Sequence, residues 1–188
     1  MWVRFTRWAA GLLESRCCKG GVVAKAYKVG KILLYNDDIA SEITGVSGKP
    51  SDYRVYACID NGVGFTMSQI TLSKVTSSKW KITYINPLAN VNGATLYWAL
   101  VKKVNPSVGK AIIKTGEGVI GFPNSSLVVS NSCKDCRLLA NPTGLVSCSG
   151  NKSSTGFKIK NVSSVNSNLS AKWIIMKKSN FLRDIKLL

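Results

Sequence analysis

Histidine is absent from this chain, and acidic residues are scarce. Lysine and arginine total 26 against 9 aspartates and glutamates in 188 residues, which gives a formal net charge of +17 at pH 7. Without histidine the chain lacks the side chain that most often acts as a general base near neutral pH. A carboxylate, lysine, cysteine or tyrosine would have to replace it, and no spacing pairs such residues. We therefore predict that the protein is not an enzyme and binds no cofactor.

Long apolar segments are also absent. No stretch reaches the roughly 18 consecutive apolar residues that indicate a membrane-spanning helix. Hydrophobic residues nevertheless make up 45% of the chain, which is ordinary for globular proteins and sufficient for a buried core. A chain of this length fits one domain with extensions at its ends. We predict such a domain, with no transmembrane span.

Positive charge is what the chain has in excess, and it is spread unevenly. The segment 61–116 contains seven lysines and no acidic residue, and the segment 152–188 carries a net charge of +7. An excess of this size attracts polyanions. The partners it predicts are nucleic acid, with RNA favoured, or an anionic lipid surface or an acidic protein.

Alternation with period two is the clearest local pattern. Trp80, Ile82 and Tyr84 alternate with polar residues over 79–84, as expected for a strand with one buried face. The segment 95–104 is the most apolar and predicts a central strand. Turn signals such as Asn-Gly and Asn-Pro recur about every 8 to 15 residues, with no long helical periodicity between them. The predicted fold is all-β: an antiparallel sandwich, a jelly roll or a partly open barrel.

The N-terminal segment 1–20 has a different pattern. Its apolar residues fall on one side of a helix and its arginines on the other, so we predict a basic amphipathic helical arm. Such an arm can pack on its own domain or on a neighbouring protein, or lie in a membrane interface, with partner or peripheral membrane contact through Trp2, Arg4, Arg7 and Trp8. A transit-like targeting segment is the alternative interpretation.

Three further segments complete the predicted organisation. Residues 21–146 form the β-rich core of the domain. Residues 147–170 are rich in serine and asparagine and are interpreted as a loop. Residues 171–188 form a basic C-terminal strand or helix.

Two motifs resemble binding sites but have simpler structural interpretations. The acidic segment 37–42 is typical of a single helical turn with carboxylates at its N-terminus, ended by Gly45. The segment 116–121 matches G-x-G-x-x-G, yet Pro123 would stop the helix that a dinucleotide site requires. We interpret its glycines as a turn or a bulge.

Six cysteines occur at irregular spacing, and free buried thiols are expected, although the even number also permits disulfides. Cys133 and Cys136 form a C-x-x-C pair, and Cys148 follows twelve residues later. These three could hold zinc only if another cysteine supplied the fourth ligand. We therefore predict no metal site. The favoured location is a reducing intracellular compartment or a virion, with an organelle as the alternative.

Lysines beside aromatic residues are the best functional signal. Lysines on one face of a strand can follow phosphates, and neighbouring aromatic rings can stack on bases. We interpret the aromatic residues of these strands as core instead, and the lysines as phosphate contacts. The predicted nucleic-acid-binding residues are Lys79, Lys81, Lys102, Lys103, Lys158, Lys160, Lys177 and Lys178.

Together these observations predict a structural protein that assembles with copies of itself or with other subunits around nucleic acid. A viral coat or matrix component and a ribonucleoprotein subunit both fit this description. Recognition would be tolerant of sequence, because lysine is a point charge with little geometry for reading bases. The alternatives are a membrane-surface or extracellular β-sandwich interaction protein, and an organellar ribosomal protein.

Overall fold

A computed structural model of the chain describes residues 27–35, 40–46, 48–84, 93–103, 112–150, 156–164, 166–182 and 185–187. These residues form fourteen strands and two 3₁₀ helices, Pro50–Asp52 and Lys178–Phe181. The strands are β1 Tyr27–Leu33, β2 Ala40–Thr44, β3 Tyr53–Asp60, β4 Phe65–Met67, β5 Ile70–Lys74, β6 Lys79–Tyr84, β7 Thr95–Lys102, β8 Ile112–Ile120, β9 Ser126–Val129, β10 Cys136–Pro142, β11 Val146–Gly150, β12 Phe157–Asn161, β13 Leu169–Lys177 and β14 Ile185–Leu187.

The strands form two antiparallel sheets. The small sheet has the order β2-β6-β5. The large sheet runs β14-β1-β7-β3-β4-β11-β12-β9, with a branch at β3 that leads through β10 and β13 to β8. The branch point is narrow, because Ala57 of β3 and Ala140 of β10 are the paired residues there. Beyond it, β3 pairs with β4 through Ile59 and Asp60.

The small sheet covers one face of β1, β7 and β3, and the contact between the two sheets forms a core. Buried side chains from both sheets meet in it, among them Trp80 and Ile82 of β6 and Trp98 and Leu100 of β7. The alternation at 79–84 therefore marks a half-buried strand, as predicted. The apolar segment 95–104 contains β7, which pairs with β1 on one side and β3 on the other.

A second core fills a nearly closed barrel made by the two arms of the large sheet. One arm ends at β9 and the other at β8. A Cβ atom added to Gly118 of β8 would lie 2.8 Å from Cδ2 of Leu127 in β9, so side-chain packing brings the two ends together. Trp173, Ile175, Ile159 and other buried residues belong to this core.

The predicted all-β, antiparallel class is confirmed, and sandwich-like and barrel-like parts coexist in one chain. The predicted helical arm over 1–20, including Trp2, Arg4, Arg7 and Trp8, lies outside the described residues. In the described part of 171–188 the chain forms strand β13, a 3₁₀ turn at Lys178–Phe181 and strand β14. The longer helix that we considered there is not what the structure shows.

Three local expectations are corrected. The segment 147–170 contains most of β11, all of β12 and the start of β13, because polar residues alternate with buried ones there: serines flank Cys148 and lysines flank Ile159. Residues 40–42, expected in a helical turn, belong to β2, whose backbone pairs with β6. Gly116 lies inside β8 and not in a turn or bulge, since β8 pairs continuously with β13 around it.

Two polar side chains fasten the small sheet to the large one. Asn141 donates from Nδ2 to the oxygens of Val55 in β3 and Ile70 in β5, each at 3.2 Å, and its Oδ1 accepts from the Ile70 nitrogen. Lys28 is only 5% exposed. Its Nζ donates to the backbone oxygen of Thr44 and to that of Gly45, the latter at 2.8 Å. Both side chains form hydrogen bonds with backbone groups at places where strand pairing ends. Buried polar atoms are usually hydrogen-bonded in this way.

Burial lowers the pKa of Lys28 from its ordinary value of 10.5, because desolvation disfavours the ammonium form. The unfolded chain therefore binds more protons than the folded one between the lowered pKa and 10.5. In that window the contribution of Lys28 to the free energy of unfolding rises as pH rises. We expect the stability of the wild type relative to Lys28→Met to increase with pH up to 10.5. Urea denaturation of both proteins across this range measures the difference, and a difference that stays constant or falls contradicts the prediction.

Candidate functional site

A basic cleft lies where the β3–β7 part of the large sheet meets β13 and β8. Its volume is about 200 Å³. The ten residues that line it are Arg54, Tyr56, Val101, Lys102, Lys103, Thr115, Gly116, Glu117, Lys172 and Ile174. Tyr56, Val101 and Ile174 are buried and form its apolar floor. The charged side chains are exposed or half-buried and surround that floor.

Strand register explains why these residues meet. In β3 and β7, Arg54 pairs with Val101, and Tyr53 pairs with Lys102, so the basic residues come at the ends of the strands. The backbone nitrogen of Lys103 donates to the backbone oxygen of Asp52 at 2.9 Å. This bond continues the pairing one residue beyond β7. Basic side chains at strand ends can remain hydrated while the apolar residues beside them pack.

The opposite wall is formed by β13 and β8. Lys172 pairs with Glu117, and their side chains form a salt bridge, Nζ to Oε2, of 3.0 Å. Both side chains are largely exposed, at 46% and 71%, so the bridge is of the surface type that contributes little to stability. The described lining of the cleft holds four cations and one carboxylate, which leaves three net positive charges in a small concave space.

Such a cleft suits phosphate groups. The guanidinium of Arg54 can donate two parallel hydrogen bonds to one phosphate, whereas lysines act as mobile point charges. The exchange of Lys172 from Glu117 to a phosphate would cost little, because an exposed ion pair is weak. A low-lying apolar floor with charges at the rim also concentrates the electric field over the cleft.

Of the eight lysines predicted from sequence, only Lys102 and Lys103 lie in this cleft. Lys79 forms a salt bridge of 2.9 Å with Glu42 on the small sheet, and Lys81 is exposed on the same strand. Lys158 is exposed and Lys160 half-buried on β12.

Lys177 and Lys178 occupy another position, at the end of β13. They line a separate depression together with Lys134, beside the Cys133–Cys136 loop. The backbone nitrogen of Lys178 donates to the backbone oxygen of Asp135 at 2.8 Å. This hydrogen bond attaches the loop to the end of the strand.

Sequence reasoning missed Arg54 and Lys172. Local alternation could have placed Lys172 on a solvent-facing side, since Ala171 and Trp173 on either side of it are buried. Nothing local, however, shows that β3 and β13 approach each other. The aromatic residues of the lysine-bearing strands, Trp80 and Phe157 for example, are buried in the cores, as we interpreted them.

The expectation that the cysteines are free thiols holds for only some of them. Cys133 and Cys136 form a disulfide, and Cys58 and Cys148 are free and buried. Burial raises the pKa of Cys58 to about 11 and that of Cys148 to about 12, so neither is appreciably ionised at neutral pH. Within the described ranges, no three potential ligands cluster as a metal site.

Compared with protein-family models, with curated proteins and with solved structures, the chain shows no significant similarity to any. Only the chemistry of the site itself can therefore indicate a function. Among the described residues, no helix has the length and the apolar character needed to cross a bilayer.

Proposed function

We propose that this protein binds RNA without sequence preference, as a structural component of a nucleic-acid-containing assembly and not as an enzyme. The observation that carries the proposal is the meeting of Arg54, Lys102, Lys103 and Lys172 in one cleft. These residues come from segments far apart in sequence, and the described lining includes Glu117 as the only acid. Phosphate contacts of this kind position a strand without reading its bases.

The size and charge of the cleft support single-stranded RNA over a folded duplex. A volume of about 200 Å³ is a local depression and not a groove for a helix. Single strands can bend to place successive phosphates in such a depression, and basic grooves that follow the backbone are the usual device for binding them. The formal net charge of +17 adds a long-range attraction that speeds encounter with any polynucleotide.

A salt titration tests the proposal. We expect the wild type to bind a mixed-sequence single-stranded RNA of about 12 nucleotides, with an affinity that falls steeply as salt rises. The variant Arg54→Gln/Lys102→Gln/Lys103→Gln removes three phosphate contacts. Its log–log salt slope should be smaller by about 2, since each contact with a single strand contributes about 0.7. Its affinity at low salt should fall about tenfold or more, equivalent to at least about 1.4 kcal/mol. Fluorescence anisotropy measures both quantities.

The matched control is Lys49→Gln/Lys74→Gln/Lys134→Gln, which removes the same charge from exposed lysines outside the cleft. Its affinity should change much less. Equal losses in the two variants would show that binding depends on overall charge and not on the cleft. A wild-type affinity independent of salt would refute the electrostatic argument. Flotation with anionic vesicles by a protein that ignores RNA would favour the membrane-surface alternative.

A further inference from the structure

A small apolar cavity, separate from the basic cleft, is lined by residues of the barrel core. Its volume is about 80 Å³, and its walls include Phe65, Leu138, Cys148 and Phe157. Two cationic residues, Arg137 and Lys178, also line it. It shares no residue with the basic cleft. An apolar cavity with a few convergent polar groups is the usual form of a small-molecule site.

Arg137 is held rigidly beside this cavity. Its side chain is nine-tenths buried, and its Nη1 donates to Oδ2 of Asp60 at 3.0 Å. Its guanidinium carbon lies 3.7 Å from the centroid of the Tyr97 ring and 5.1 Å from that of Phe65. The Nε–H of Arg137 is buried and has no acceptor within the described structure. A buried donor without an acceptor is costly, so the ion pair with Asp60 and the contact with Tyr97 must hold this side chain in place.

The charges around the cavity favour an anion. Asp60 neutralises Arg137, so the exposed Lys178 leaves one net positive charge. Cys148 adds no negative charge, because burial raises its pKa to about 12 and keeps the thiol protonated. The apolar walls in turn favour a hydrocarbon tail. The volume is about half the 150 Å³ of an engineered cavity that accepts benzene, so the tail is only a few carbons long.

We propose that this cavity binds a short-chain aliphatic monocarboxylate, with the tail between Phe65 and Phe157 and the carboxylate at Lys178 and Arg137. The site goes beyond RNA binding and does not depend on it. The affinity is expected to be modest, because few atoms make contact and the gain per atom is limited.

Butyrate and its neutral isostere butyramide test this assignment. In amide NMR spectra of the full chain, butyrate should produce saturable shifts at Cys148, Gly150 and Lys178, with butyramide binding more weakly. Lys178→Gln should weaken butyrate several-fold and leave butyramide unchanged. Lys177→Gln is the matched control, since this exposed neighbour carries the same charge but does not line the cavity. Cys148→Leu should fill the cavity and abolish binding of both compounds.

These variants leave the Arg137–Asp60 pair intact, so they are informative even if Arg137 itself cannot be replaced. Shifts that do not saturate, or equal weakening by Lys177→Gln and Lys178→Gln, would overturn the proposal. So would unchanged butyrate binding in a folded Cys148→Leu protein. Loss of RNA binding in the cleft variants would have no bearing on it, because the two sites share no residue.

Discussion

Replacing Arg137 by methionine should lower the free energy of unfolding by roughly 2–3 kcal/mol, as for the loss of a charged hydrogen bond, and by less than for a fully buried ion pair, because the Asp60 carboxylate stays partly hydrated. The substitution leaves Asp60, whose side chain is 22% exposed, without the Nη1 donor that lies 3.0 Å from it. It also removes the stacking of the guanidinium on Tyr97, which adds to the cost. Methionine keeps most of the apolar volume, so the loss reports on charge and hydrogen bonding. Urea denaturation followed by tryptophan fluorescence measures it.

Lys172→Met is the control for this prediction, because it breaks a salt bridge of the same 3.0 Å length between exposed side chains. Its cost should be about 0–1 kcal/mol, as measured for surface pairs. Asp60→Asn in the Arg137→Met background should recover part of the loss, because it removes the unpaired carboxylate. If Arg137→Met costs no more than Lys172→Met, then the buried pair does not stabilise the junction of β3 and β10.

Gly116→Ala should lower the free energy of unfolding by about 1–3 kcal/mol through overpacking. A Cβ atom at Gly116 would lie 2.3 Å from Cζ2 of Trp173, its partner across β8 and β13. Trp173 belongs to the barrel core, so its indole can move only by displacing neighbours in a densely packed interior. Thermal or urea denaturation measures the loss. The result would explain the G-x-G-x-x-G pattern as a packing requirement and not as a cofactor loop.

Gly64→Ala supplies the comparison, since nothing lies within 4 Å of a Cβ atom added there. Its effect should stay within about 0.5 kcal/mol, as for most surface substitutions. In a Trp173→Leu background the cost of Gly116→Ala should shrink, because the atoms that clash have been removed; residues in contact show this kind of coupling. Equal costs in both backgrounds would mean that strain in the backbone, and not the indole, makes glycine necessary.

Some features could be predicted because they depend on neighbouring residues. The alternation of Trp80, Ile82 and Tyr84 with polar residues correctly indicated β6 and its buried face. Neighbouring residues did not explain the glycines of 116–121. The residue that requires glycine at 116 is Trp173, which is 57 positions away in sequence but directly opposite in the sheet.

The interpretation of 147–170 as a loop was wrong for a related reason. Its serines and asparagines are typical of loops, yet Asn161 is fully buried and its Nδ2 donates to the oxygens of Gly121 and Ser167. The serine- and asparagine-rich composition therefore concealed that this segment belongs to the large sheet. Polar side chains are tolerated inside a sheet when tertiary neighbours satisfy their hydrogen bonds, and composition alone does not reveal those neighbours.

The sequence by itself determined the all-β class, the strong positive charge and the buried faces of the clearest strands. The charge follows from composition, and the fold class and buried faces depend on side-chain alternation and turn residues, which act over a few positions. Only the tertiary structure decided which strands pair, where β3 branches, and that Lys102 and Lys172 share a cleft with Arg54. The physical reason is that every strand offers the same backbone donors and acceptors. The choice of partner therefore depends on how side chains from the whole chain pack together.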